Sequence, residues 1–222
     1  MKLMRPAITS LIMLLLSVPL LHGQDLSKYR SFTLGVSLAD LSKQIGASPA
    51  DVKVVHQLPA LIEELRWWPR LSGYPPQAEA IREILFSFYD GKLYKIFVTY
   101  DDTATQGMSP EDMARAISAK YGTPTTPDVR IGIPTDGYPT TEKVMDRWED
   151  SRYSVNLFRS SFSSAFGLVM FTKEVDAEAE AASRAAFQLE QQGAPQREAD
   201  RVKKEADDLE ASRVKNLKTF HP

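Results

Sequence analysis

The sequence predicts an α+β fold in which two tandem units, each a helix followed by an antiparallel meander of strands, form one sheet-containing core. Three observations carry this prediction. Nearly all aromatic side chains lie between Tyr29 and Phe171, which places the core there because aromatic residues dominate burial. A short motif recurs at residues 35 and 107, and strand-like runs follow each copy. A long charged helix, or helical pair, is predicted after the core.

Residues 1–23 precede that core and differ from it in composition. Lys2 and Arg5 are followed by the uncharged apolar run Ala7–Leu21, and Gly23 is a small residue at the expected cut. This order is typical of a secretory signal peptide, so we expect cleavage near Gly23 and a periplasmic or secreted protein. The alternative is an uncleaved membrane anchor, but the run falls short of the ~20 residues that span a bilayer.

Composition excludes several classes of chemistry. The chain has no cysteine, which excludes disulfides, thiolate nucleophiles, cysteine metal sites and a lipid-anchored N-terminal cysteine. We therefore expect no stable membrane anchor after signal cleavage. The 222 residues carry a formal net charge of -2, which gives no electrostatic reason to expect nucleic acid binding.

The duplicated core is expected to span residues 24–172, with units at about 32–101 and 107–172. Residues 35–41 (GVSLADL) are echoed by 107–113 (GMSPEDM). The serine of each copy, Ser37 or Ser109, is placed as a helix N-cap, and the aspartate three residues later completes a capping box. A glycine closes each predicted helix at its C-terminus.

Strands follow each predicted helix. In the first unit Asp90-Gly91 joins two runs rich in aromatic and branched residues, which is a strong hairpin signal. Residues 61–68 fit a strand by alignment with 144–148 but also have helical spacing, and we favour the strand. The second unit is predicted to form a three-strand meander of residues 144–148, 153–158 and 166–171. We expect the two sheets to join, since few strands are stable alone.

Residues 173–222 form a tail rich in alanine and in charges of both signs. Apolar residues recur there at spacings of three and four, which predicts helix. Gly193-Ala194-Pro195 predicts that one helix stops and another starts. Its narrow apolar stripe is compatible with a weak coiled coil that drives oligomerisation, and equally with a solvated charged helix.

The sequence contains no recognisable catalytic motif, so we predict no catalytic residue, no metal site and no cofactor. No metalloprotease, nucleophile-elbow, dinucleotide or phosphate-loop motif occurs, and His56 and His221 lie far apart in the expected mature chain. We therefore predict that the protein is not an enzyme. The alternative is a small-ligand-binding protein, or an enzyme using Asp101, Asp102 or Asp136, with a pocket between the units.

Aromatic and arginine residues provide a candidate binding surface, because these types anchor protein interfaces. The alternative is that the tryptophans close the cores of their own units, with the arginine stems packed beside them. The candidate binding residues are Arg66, Trp67, Trp68, Arg70, Tyr74, Tyr138, Arg147 and Trp148.

The repeated glycine–serine–aspartate motif, the helix ending in glycine and the meander containing tryptophan resemble a known group. Over residues 35–172 the chain is similar to the tandem α+β repeats of β-lactamase-inhibitor-protein-like exported proteins. Outer-membrane assembly lipoproteins of the SmpA/OmlA type share the helix signature. The resemblance implies a non-enzymatic module that binds other proteins.

Together these features predict an exported, non-enzymatic protein-interaction or scaffold module, whose partner is another exported or envelope protein. The alternatives are the small-ligand-binding protein or carboxylate enzyme described above, and a structural protein that oligomerises through its tail. The oligomeric state stays open.

Overall fold

The computed structural model describes residues 24–69, 80–133 and 140–219, so the predicted signal peptide lies outside the described residues. The predicted α+β class is confirmed. The helices are α1 (Leu38–Ile45), α2 (Pro110–Tyr121) and α3 (Lys173–Thr219). The strands are β1 (Lys28–Tyr29), β2 (Phe32–Thr33), β3 (Val52–His56), β4 (Ile62–Trp67), β5 (Ile81–Tyr89), β6 (Lys92–Tyr100), β7 (Arg130–Ile133), β8 (Thr140–Glu149), β9 (Tyr153–Arg159) and β10 (Phe166–Thr172).

One eight-stranded antiparallel sheet joins the two units. Its order is β3-β4-β5-β6-β10-β9-β8-β7, so each unit contributes a four-strand meander and the last strands of both meanders meet at the centre. Val98 of β6 lies opposite Leu168 of β10 in that central pair. The sheets therefore join as expected. The edge strands β3 and β7 were not predicted, and neither was the separate β1–β2 hairpin.

The local signals that predicted the helices operate as expected. Ser37 accepts a hydrogen bond from the backbone N–H of Asp40, and Ser109 accepts one from Asp112. Asp112 in turn accepts from the backbone of Ser109, which completes the capping box in α2, whereas in α1 the box is incomplete because Asp40 accepts from the Ser37 hydroxyl instead. Gly46 closes α1 in the left-handed conformation, at φ 70°.

The strand predictions around the first hairpin are also confirmed. Asp90 and Gly91 both have positive φ, at 47° and 73°, as a tight two-residue hairpin turn requires. Residues 62–67 form strand β4, which resolves the choice between strand and helix. Leu65 and Trp67 point from β4 into the main core, whereas Ile62 packs on the opposite face.

The two faces of the sheet are covered by different elements. On the helix face, α1 and α2 pack through Leu41 and Ile117 onto the largest hydrophobic cluster, together with the β1–β2 hairpin. On the other face, which we call the tail face, Ala179 and Ala182 of α3 pack against Ile62 and Tyr94. The sheet is therefore sandwiched between the paired helices and the start of α3.

The predicted break at Gly193-Ala194-Pro195 is wrong, because α3 runs continuously from Lys173 to Thr219 with Pro195 inside it. At 1.5 Å per residue the helix is about 70 Å long. The Arg197 side chain donates to the carbonyl of Glu190, at 2.7 Å, and so stabilises the turn that proline weakens. A helix therefore continues where local sequence signals favour a stop.

Candidate functional site

The tryptophans of the predicted binding surface lie in different environments. Trp148 is 1% exposed and Trp67 is 6% exposed, so both rings belong to the main core, as the packing alternative expects. The indole N–H of Trp148 donates to the carbonyl of Gly122 at 2.8 Å and ties β8 to the end of α2. Trp68 is 41% exposed. Trp68 is therefore the most exposed of the three tryptophans.

The arginines of that surface are not brought together. Arg66 forms an ion pair with Glu83 at 3.1 Å, and Arg147 donates to the amide oxygen of Asn156 at 2.6 Å. Arg66 lies on β4 and Arg147 on β8, five strand spacings apart, which is about 24 Å. These residues therefore form two separate clusters. Arg70, Tyr74 and Tyr138 lie outside the described residues.

The carboxylates considered for catalysis have structural partners. Asp101 is buried and accepts hydrogen bonds from the backbone of Thr103 and Ala104, at 3.0 and 3.1 Å. Asp102 pairs with Arg82 at 3.2 Å on the surface. This arrangement stabilises the turn after β6. Asp136 lies outside the described residues.

An open groove of about 720 Å³ runs between α1 and the edge strand β3. Its lining is mainly aliphatic, and Val54 of β3 is 45% exposed there. Lys43 and Glu63 are among its charged lining residues. Such a groove exposes apolar surface, but its charges do not select one kind of occupant.

A second cavity, of about 310 Å³, lies on the helix face at the junction of the two units; we call it the tyrosine pocket. It is lined by three tyrosines, two cationic side chains and an apolar floor. Its lining residues are Tyr29, Arg30, Ala80, Tyr100, Ala104, Thr105, Met108, Met113, Ala116, Ile117, Lys120, Tyr121 and Leu168.

Hydrogen bonds fix the walls of the tyrosine pocket. The Tyr121 hydroxyl donates to the carbonyl of Lys28 at 2.7 Å, and the Lys120 ammonium donates to the same oxygen at 2.9 Å. The Tyr29 hydroxyl donates to that of Tyr100, at 3.4 Å. The β1–β2 hairpin, β6 and α2 therefore meet at this cavity.

Burial also determines the protonation of these groups. It raises the pKa of Tyr29, Tyr100 and Tyr121 above the usual tyrosine range, so all three hydroxyls stay protonated. Burial lowers the pKa of Lys120, while nearby Asp25 raises it in part. The pocket therefore presents phenol donors and a cation.

Sequence reasoning missed the tyrosine pocket because its residues come from positions 29, 100 and 121, which no local motif links. One signal was present in the chain. Two of the three tyrosines have a cationic neighbour in sequence, in the dipeptides Tyr29-Arg30 and Lys120-Tyr121. In the fold these cations lie 5.9 and 4.9 Å from the ring centres.

The third feature is the part of α3 that leaves the sheet. We call residues 173–190 the docked segment and residues 191–219 the projecting segment. The docked segment ends where Glu190 lies 3.9 Å from His56 of the edge strand β3. Beyond it, side chains are exposed, and the large apolar ones include Val202, Leu209 and Leu217.

Three further features concern the described residues. No cluster of three or more metal-ligating side chains occurs among them. No helix in this part of the chain is long and apolar enough to cross a membrane. The polar cavity beside the N-terminus of α2 is lined by residues such as Asp102, Ser109 and Arg159, and Asp102 there is the partner of Arg82.

Comparison with known proteins yields little. No protein-family model matches the sequence, and no curated protein matches it significantly. A solved structure of a cysteine-rich secretory protein from Staphylococcus aureus aligns over 64% of this chain and 45% of that chain, at 10% identity and a TM-score of 0.31. The aligned part thus spans less than half of that protein, and so low a score carries no functional argument.

Proposed function

We propose that this protein is an exported, non-enzymatic interaction module that binds a helix of another exported or envelope protein through its projecting segment. The observation that carries the proposal is the exposure of Leu209 and Leu217, at 73% and 65%, on a helix that continues about 43 Å beyond the sheet. Large apolar side chains on a projecting helix are typical of a surface that a partner helix covers.

The apolar residues of the projecting segment share one side of the helix. Ala199, Val202, Ala206 and Leu209 follow a 3-4-3 spacing, and Leu217 continues the same side. This is the spacing by which helices pack against one another as a coiled coil. Charged residues flank this stripe, where Glu198 and Glu205 form ion pairs with Arg201.

Flanking charges argue for a different protein as partner rather than a second copy. In a parallel pair built on this stripe, Glu198 faces Lys203 of the other helix, which is favourable. Glu205 then faces Glu210, which is unfavourable by a similar amount. Parallel self-pairing therefore gains nothing from the flanking charges, whereas pairing with a helix whose flanks are basic would.

Site-specific photo-crosslinking in the producing cells tests this proposal. A photoreactive residue placed at Val202 or Leu209 should yield one adduct of defined mass, because both positions lie on the apolar stripe. Matched probes at Lys204 and Ala211, on the opposite side of the same helix, should yield none.

Three outcomes contradict the proposal. One is no adduct at any position, and another is equal labelling of both sides of the helix. The third is an adduct with twice the mass of the chain, which would support the tail-driven oligomer instead. A number of chains per particle, measured by solution mass, that is the same with and without residues 191–219 would independently exclude that oligomer.

A further inference from the structure

We propose that the tyrosine pocket binds a small organic anion, a carboxylate carried on an apolar body. The pocket lies on the helix face, on the opposite side of the sheet from α3. This inference therefore goes beyond the partner contact of the projecting segment and does not depend on it.

The charge of the lining selects an anion. Arg30 and Lys120 are exposed at the rim, and none of the described residues that line the cavity is acidic. Lys120 donates one of its three protons to the Lys28 carbonyl, which leaves two for a ligand. A carboxylate at this rim would meet two cations, and the acidic group that lies near Lys120 is Asp25, which does not line the cavity.

The β1–β2 hairpin turn fixes the position of Arg30. Arg30 occupies the turn of the β1–β2 hairpin with a φ of 53°, a conformation that side chains other than glycine rarely adopt. A tight two-residue hairpin turn requires this conformation, as it does at Asp90. This turn places the Arg30 guanidinium over the Tyr29 ring and beside the cavity.

A phenol proton is directed toward the same ligand. The Tyr29 and Tyr100 hydroxyl oxygens lie 3.4 Å apart, so one of the two phenol protons can serve this pair and the other needs a different acceptor. The described residues supply none, although Tyr100 lines the cavity. A carboxylate oxygen would accept this proton, since the phenol stays neutral and protonated.

The floor of the tyrosine pocket determines the polarity and size of the rest of the ligand. It is formed by apolar side chains, among them Met108, Met113, Ile117 and Leu168, so the ligand body should be apolar. A volume of about 310 Å³ lies at the lower end of ligand pockets, which indicates a small molecule. A medium-chain carboxylate such as octanoate has these properties.

Titration of the full-length protein with octanoate, followed by NMR of the methionine methyl groups, tests the proposal. Met108 and Met113 line the pocket, so their methyl signals should shift and saturate. Met145, packed elsewhere in the core, should not shift. Octanol has the same apolar body without the charge, and we expect it to bind at least about tenfold more weakly.

The double variant Arg30→Gly/Lys120→Met separates charge from folding. Glycine accepts the positive φ of residue 30 without strain, so this variant should fold. We expect octanoate affinity to fall at least about tenfold while octanol affinity is unchanged. The matched control is Arg115→Met, which removes an exposed cation of α2 that pairs with Asp112 outside the pocket.

Any of three results overturns the inference. They are the absence of saturable octanoate shifts, equal affinities for octanoate and octanol, and an equal loss of octanoate binding in Arg115→Met. Crosslinking by the projecting segment can succeed or fail independently of all three, so the two proposals are distinguishable.

Discussion

The two segments of α3 belong to one continuous helix but differ in what their apolar side packs against. In the docked segment Ala179 and Ala182 are buried against the tail face of the sheet, and Ala186 is also buried. In the projecting segment the apolar stripe contains Val202 and Leu209, which are 53% and 73% exposed. The smaller side chains are the ones that are packed.

Similar spacings of apolar residues therefore serve two different roles in the two segments of α3. Alanine lets a helix approach a sheet closely, and the docked segment adds an ion pair between Asp176 and Lys95, at 2.5 Å. The larger side chains of the projecting segment gain nothing from the fold itself. We infer that the docked segment serves stability and that the projecting segment serves contact, and the following changes test that division.

The largest expected effect is in the docked segment. Ala179 is 2% exposed, so Ala179→Glu forces a charge and extra volume into the α3–sheet interface. We expect a loss of about 3 kcal/mol in the free energy of unfolding, measured by urea denaturation. Ala181→Glu, an exposed position of the same segment, is the control and should change little. Equal losses in both variants would contradict the docking geometry.

The next effect concerns the ion pair. Lys95→Met leaves the Asp176 carboxylate without its cation, and we expect a loss of about 2 kcal/mol because both groups retain some contact with water. The double variant Lys95→Met/Asp176→Leu removes both charges and should recover most of that loss. A double variant as unstable as the sum of the single ones would show that the two residues do not interact.

The same pair predicts a pH dependence. Burial raises the pKa of the Asp176 carboxyl above its usual value, although Lys95 lowers it in part. A raised carboxyl pKa means that protonation favours the folded state, and that this stabilisation is lost as the pH rises through the pKa. The destabilisation by Lys95→Met should therefore shrink as the pH is lowered below neutrality, measured by thermal unfolding. A loss independent of pH would contradict this assignment.

A smaller effect on the whole fold is expected in the projecting segment. Pro195→Ala restores a backbone donor in the helix interior, where proline costs about 3 kcal/mol locally. Amide hydrogen exchange around residue 195 should slow, while the free energy of global unfolding stays within about 0.5 kcal/mol of wild type. A large rise in global stability would show that this segment folds with the core.

The smallest expected effect on stability comes from Leu209→Asp. The side chain is exposed, so global stability should again change by less than about 0.5 kcal/mol. Crosslinking from Val202 to the partner should nevertheless be lost, because a charge enters the apolar stripe. If the crosslink were retained, Leu209 would not be part of the surface that contacts the partner.

The sequence predicted features that depend on neighbouring residues. The Ser37 and Ser109 caps and the Asp90-Gly91 turn need only local contacts, and all three form as expected. The edge strands were missed because they are short and owe their pairing to the sheet; β7 even contains Gly132, a poor strand residue. The predicted helix break at Pro195 was wrong. Gly193 and Pro195 favour a stop locally, but α3 continues through both residues.

The candidate site was less predictable than the fold. Repetition of Arg66-Trp67 at Arg147-Trp148 was compatible with either binding or packing, and the buried rings match packing. Only the assembled chain brings Tyr29, Tyr100 and Tyr121 to one cavity. The projecting segment is exposed because α3 extends past the edge of the sheet. The composition of that segment does not show where the sheet ends.

Hydrogen–deuterium exchange along α3 in the full-length protein tests the division of this helix most directly. We predict that amides of residues 176–189 exchange as slowly as those of the central strands, because their opening requires breaking the α3–sheet interface. Amides of residues 196–219 should exchange far faster, since an isolated helix is marginally stable in water. Equal protection along the whole helix would contradict the account.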